Sequence, residues 1–154
     1  MNANGYWMMT STLDRTVSKL KQHAQRAAGN AHAPYSHFPV GAAVISGGGQ
    51  VYVGRNVEIA SIGLTQCAGR AALTAAIADG ARAGELQTLV LYTPGKTAHS
   101  PCGACRQVMH ELMAADSMVI SCCDSDAVRR WSRAEYLPDP FLPEDLNPAG
   151  EIPR

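Results

Sequence analysis

Residues 100–108 read Ser100-Pro101-Cys102-Gly103-Ala104-Cys105-Arg106-Gln107-Val108, and well upstream stands Cys67-Ala68-Gly69-Arg70. A Cys-x-x-Cys pair at the start of a helix sets both sulfurs on one side, near backbone N–H groups that have no intrahelical partner. The positive end of the helix favours the thiolate form. Cys67 also opens a stretch that reads as a helix, because Gln66–Ala78 is alanine-rich with Leu73 and Ile77 on one face. Three thiolates from Cys67, Cys102 and Cys105 around one zinc ion leave a fourth tetrahedral position for water, the pattern of a catalytic site rather than a closed structural one. Two other readings stay open on residues alone. The pair is a redox dithiol, for which a thioredoxin-like setting is missing. Or it is half of a structural zinc site, which needs Cys122 or Cys123 as a fourth ligand. Those two are adjacent at a strand end, where successive side chains face opposite ways, so they read as packing residues.

Strands flank these helices. Thr88–Tyr92 (TLVLY) and Met118–Cys122 (MVISC) are short apolar runs on either side of a helical stretch over Gly103–Ala115, whose apolar residues are Val108, Met109, Leu112 and Met113. Such alternation predicts a layered α/β domain with parallel pairing in the second half. Upstream, Val40–Ile45 and Val51–Val57 flank Gly47-Gly48-Gly49 and read as a hairpin. Pro34-Tyr35-Ser36-His37-Phe38-Pro39 reads as a loop, since its prolines remove amide donors and restrict their predecessors. A helix is expected from a capping-box-like Ser11/Asp14 to Gly29, with Leu13, Val17, Leu20, Ala24 and Ala27 as its apolar stripe. Ser132–Leu137 reads as a last turn or two of helix. Three prolines around Phe141 give a stiff extended arm that packs on a surface or a partner subunit.

The chain has 154 residues, enough for one core and too few for two. The expected division is a flexible tail at 1–10, a domain at 11–146 and a C-terminal tail at 147–154. Thirteen basic and thirteen acidic residues cancel, so charge offers nothing to nucleic acid or an anionic membrane. No apolar window is long enough for a membrane span, and no secretory signal is visible. Five cysteines in this arrangement suit a reducing, cytoplasmic setting.

Taken together, the chain resembles the cytidine deaminase family from about Ala31 to Leu146. The likeness is carried by Ala33-Pro34-Tyr35-Ser36-His37-Phe38-Pro39-Val40-Gly41-Ala42-Ala43, by Asn56-Val57-Glu58, by Cys67-Ala68-Gly69-Arg70 and by Ser100–Val108. Leu137-Pro138 with Phe141, then Pro143-Glu144-Asp145-Leu146, complete it. The resemblance implies a three-layer α/β/α domain with a five-stranded mixed sheet. It implies hydrolytic deamination of cytidine or deoxycytidine in pyrimidine salvage, with Zn²⁺ on Cys67, Cys102 and Cys105. Phe38 would pack on the pyrimidine, Asn56 and Glu58 would hold the ribose, and the backbone of Ala68 and Ser100 would contact the base. Arg70 would sit beside the zinc thiolates, where a guanidinium offsets their charge. A homotetramer is implied, with Phe141 of a neighbouring subunit completing each site.

One departure bears on function. Gly69 occupies the place where the family carries the glutamate that shuttles protons without binding the metal. Neither Glu58, expected at the ribose, nor Glu111, over a turn of helix beyond Cys105, replaces it. The expectation is therefore a severely impaired enzyme, or a zinc-retaining protein that binds nucleosides without turning them over. Ile59 and Ile62 also stand where the family has asparagine and tyrosine.

Overall fold

The expected N-terminal stripe forms α1, Trp7–Ala28, in a computed structural model that describes residues 7–146. The helix starts before Ser11, so the expected cap at Ser11/Asp14 is corrected, and residues 7–10 continue the helix. Met8 and Met9 are good helix formers, and no glycine or proline separates them from the stripe. The remainder of the expected tails, 1–6 and 147–154, lies outside the described residues, as does the side chain of Leu13. Val17, Leu20, Ala24 and Ala28 are buried, so the stripe closes on Ala28, four residues after Ala24, rather than on Ala27.

β1 (Gly41–Ser46) and β2 (Val51–Arg55) form the expected hairpin. β2 stops at Arg55 instead of Val57: Asn56 still holds Val40, donating its N–H to the Val40 carbonyl at 3.1 Å and accepting from Val40 N–H on Oδ1 at 2.8 Å, while the Asn56 carbonyl and Val57 N–H turn to His32 and Gln66. After a single 3-10 turn at Ile62–Leu64 come α2 (Ala68–Ala78) and β3 (Leu86–Tyr92). α3 (Gly103–Leu112), β4 (Met113–Cys122) and β5 (Val128–Ser132) follow, then the short helices α4 (Arg133–Tyr136) and α5 (Pro143–Leu146). α3 ends at Leu112 rather than Ala115. Met113 is extended and pairs with Leu86, and this parallel partner outweighs the helix preference of the Leu-Met-Ala-Ala run. α5 corrects the expectation of a wholly extended arm: Pro143 opens one turn, where its missing N–H costs nothing.

The strands form one five-stranded mixed sheet in the order β2-β1-β3-β4-β5, parallel only between β3 and β4. On one face α1 buries its stripe against Ala43, Val90, Tyr92, Ile120 and Cys122. On the other, α2 and α3 pack Ala72, Leu73, Ala76 and Met109 against Val44, Leu89, Leu91 and Val119. Ile77 turns out of that core, because Ala72, Leu73 and Ala76 are the buried face of α2. Cys122 and Cys123 are buried packing residues, as expected. Two glycines let the layers close. A Cβ at Gly41 would stand 1.8 Å from the carbonyl oxygen of Ala24 in α1, and one at Gly54 would stand 2.3 Å from that of Ala68 in α2. Among the described residues no helix is long and apolar enough to cross a membrane.

Candidate active site

α2 and α3 share a face of the sheet, and their N-termini meet. Cys67 is the N-cap residue of α2, Cys102 that of α3, and Cys105 lies in the first turn of α3. Their sulfurs converge: Cys102 to Cys105 is 3.3 Å, Cys67 to Cys102 is 3.9 Å, and all three lie within 4.8 Å of one another. Thiolates at tetrahedral zinc, with Zn–S near 2.3 Å, sit about 3.8 Å apart. The cluster therefore has the size and the soft donors that a zinc ion requires, and these three residues could hold one.

The electrostatics favour the charged form at Cys67 and the protonated form at Cys105. The Cys67 thiol is lowered to about 5, first by a hydrogen bond from Cys105 and then by Arg70 and Cys102. The Cys105 thiol is pushed up, because it keeps its proton to donate to Cys67 and because it is buried. Arg70 Nη2 lies 3.8 Å from Cys67 Sγ and donates to the Thr65 carbonyl at 3.0 Å. The guanidinium is in turn held more firmly charged by the sulfurs.

The loop before β1 forms the facing wall. Glu58 accepts hydrogen bonds from Tyr35 N–H at 3.0 Å, from Ser36 N–H at 3.1 Å and from the Ser36 hydroxyl. The Ser36 hydroxyl is the main reason its carboxyl falls below the ordinary range, with the two amides adding to it. Asn56 holds the next residues at both ends of its amide, accepting from Val40 N–H and donating to the Phe38 carbonyl at 2.9 Å. His37 takes φ 53°, and Phe38 N–H donates to the Ser36 hydroxyl at 3.0 Å, so the chain turns sharply and presents Phe38. Between this wall and the cysteines lies a cavity of about 450 Å³.

A family model described as the cytidine and deoxycytidylate deaminase zinc-binding region matches residues 14–122. The chain belongs to this cytidine deaminase family. It is 41% identical over 135 residues to a cytidine deaminase of Halalkalibacterium halodurans, covering 88% of this chain and 99% of that one. A cytidine deaminase of Sporosarcina psychrophila is 38% identical over 135 residues, covering 88% and 98%. The crystal structure of cytidine deaminase from Burkholderia pseudomallei superposes with a TM-score of 0.77 at 43% identity, over 80% of this chain and 98% of that one.

Within this cytidine deaminase fold, the cavity gathers Phe38, Asn56, Glu58, Ala68, Gly69 and Ser100 around the three cysteines. Arg70 stands at the sulfurs without lining the cavity. Phe141 does not line it either. Its ring is 56% exposed, and only its carbonyl is tied back, accepting from Gln107 Nε2 at 2.7 Å. Glu111 is bound to Gln107 on the exposed side of α3, at 3.0 Å. Ser36, Thr65, His99 and Met109 line the cavity without having been singled out. Ser36 has a local signal, its place inside the Pro34–Pro39 loop. Thr65, His99 and Met109 carry no such signal.

Proposed function

We propose that the chain is a cytosine-nucleoside deaminase by construction, converting cytidine or deoxycytidine and water to the uracil nucleoside and ammonia, and that Gly69 makes it a severely impaired one. The observation carrying this reading is one cavity that joins a three-cysteine cluster to an aromatic wall with a carboxylate and a carboxamide beside it. Cys67, Cys102 and Cys105 would hold zinc, which when bound supplies Lewis-acid activation of water. Arg70 offsets the negative charge of the thiolates and orients Cys67 by hydrogen bonding. Phe38 packs on the pyrimidine, while Asn56 and Glu58 hold the ribose hydroxyls with groups already fixed by the loop. The backbone of Ala68 and of Ser100 contacts the base.

Proton transfer is the missing part. A positioned acid–base group contributes about 10²–10⁴-fold, and 10⁴ corresponds to roughly 5.5 kcal/mol of barrier. Gly69 offers no group to hold or move that proton. A second reading, a nucleoside-binding protein that keeps zinc without turnover, is favoured by the apolar surroundings of Gly69: Met109, Leu91 and Leu89 are the atoms a side chain there would meet. The deciding experiment is turnover of cytidine and deoxycytidine by this chain and by Gly69→Glu. Activity restored by the carboxylate supports the impaired deaminase; no activity in either supports the binding protein.

The same reading includes a homotetramer with Phe141 of the partner subunit completing each cavity. Its support is the exposure of Phe141, Ile62 and Leu64, three apolar side chains left outside the core of the single chain.

A further inference from the structure

We infer that His99 is a positioning residue for the bound base: its ring braces Phe38 and so fixes the wall against which the pyrimidine packs. The inference rests on the nucleoside reading above and adds to it a residue outside the motifs that carry the resemblance.

The backbone of Phe38 is anchored through its N–H to Ser36 and through its carbonyl to Asn56. Neither bond restrains the side-chain torsions. The ring is 41% exposed at the edge of the cavity, a poor position for a rigid wall. His99 reaches it from the opposite side, on the segment between β3 and α3. The ring centroids are 5.2 Å apart with the planes at 78°, the edge-to-face arrangement that aromatic pairs prefer.

The side chain of His99 is exposed, while its backbone is held on both sides. Ala98 before it is buried, and Ser100-Pro101 after it restricts the backbone and leads straight into α3. Among the described residues neither imidazole nitrogen has a hydrogen-bond partner, so the ring contact with Phe38 is the side chain's defined interaction. A wall already held in one rotamer loses less freedom when a ligand arrives. Because the brace acts before and during the reaction alike, its removal raises KM and leaves kcat nearly unchanged.

The test uses the zinc-loaded full chain with cytidine as the probe, and His99→Ala, His99→Gln and His99→Phe as variants. His99→Ala and His99→Gln are expected to weaken cytidine binding about threefold to tenfold, and His99→Phe to restore it to within about twofold. In a Gly69→Glu background the same changes should appear in KM and not in kcat. Unchanged affinity in His99→Ala overturns the inference, as does affinity kept by His99→Gln and lost by His99→Phe. The chain has two phenylalanines, so ring-labelled phenylalanine reports Phe38 by NMR without a ligand. If the chain binds no cytosine nucleoside, the nucleoside reading fails. The brace is then judged by those signals: a shift of the Phe38 ring in His99→Ala supports it, and an unmoved ring overturns it.

Discussion

The terminal methyl of Met109 stands 3.1 Å from the point where Gly69 would carry a Cβ. A carboxylate at position 69 must therefore displace that methyl by a few tenths of an ångström. Methionine is unbranched and adaptable, so the displacement is a rotamer adjustment rather than a backbone shift. Replacing a helical glycine also recovers about 1 kcal/mol of helix propensity. Burying a carboxylate beside Met109, Leu91 and Leu89 works against that gain, so Gly69→Glu is expected to fold with a melting temperature at or below the parent's and to raise deaminase turnover by at least about 10²-fold. Steady-state kinetics with cytidine and a melting curve check both halves.

Zinc content is the second measurement. One zinc per chain is expected by metal analysis, with Cys102→Ser losing it. Chelation should lower the melting temperature, because binding to a site absent from the unfolded chain adds to stability. Arg70→Gln is expected to weaken zinc affinity about 10–100-fold without removing a ligand. Protons compete with the metal for the thiolates, so zinc retention should fall as the pH is lowered. Full zinc occupancy in Cys102→Ser would refute the ligand set.

Glu58 links pH to the loop that carries Phe38. Its carboxyl is held below the ordinary value of 4.5 by its hydrogen bonds to Ser36 and Tyr35. The stabilisation it gives is complete above that ordinary value and is lost as the pH falls through the lower folded value. Glu58→Gln should be less stable than the parent near neutrality, and the gap should close on acidification. Melting temperatures of the two chains from pH 7 down to about pH 3 check this. A gap that stays constant would show that the charge is not involved.

Gly41 tests how tightly α1 lies on the sheet. A Cβ there would penetrate the Ala24 carbonyl, which is backbone and cannot swing aside. Gly41→Ala is expected to cost more than about 3 kcal/mol, beyond the usual range for overpacking, or to prevent folding. Denaturant titration gives the value.

Phe141 tests the assembly. Sedimentation is expected to show a tetramer at micromolar concentration, and Phe141→Ala is expected to weaken nucleoside binding. A monomer would refute the assembly; a tetramer with unchanged affinity would remove the ring from the site.

The cysteine cluster was legible because helix-start cysteines combine local spacing with a known electrostatic preference, whereas Arg70 entered only through the family resemblance. β1 to β3 were legible from apolar runs bounded by glycine or proline, and the second half of β4 from the apolar run Met118–Cys122 between polar Asp116-Ser117 and Asp124-Ser125. β5 was not, because Val128-Arg129-Arg130-Trp131-Ser132 is an edge strand, mostly exposed, with no alternation to read. The end of α3 was misplaced for a different reason. Leu112-Met113-Ala114-Ala115 suits a helix locally, and only the distant partner Leu86 makes Met113 a strand residue. The part of His99 depends on Phe38, which the fold brings to it from another segment, so no local pattern marks it.

Cys67 and Cys102 cap different helices, yet their sulfurs lie 3.9 Å apart. An ion held there is a rivet between two separate lengths of chain, useful to the architecture whether or not any chemistry follows. Mutational drift at position 69 can then silence the reaction while folding still selects for every ligand. Bound zinc would then report the integrity of the fold, and turnover alone would report a working catalyst.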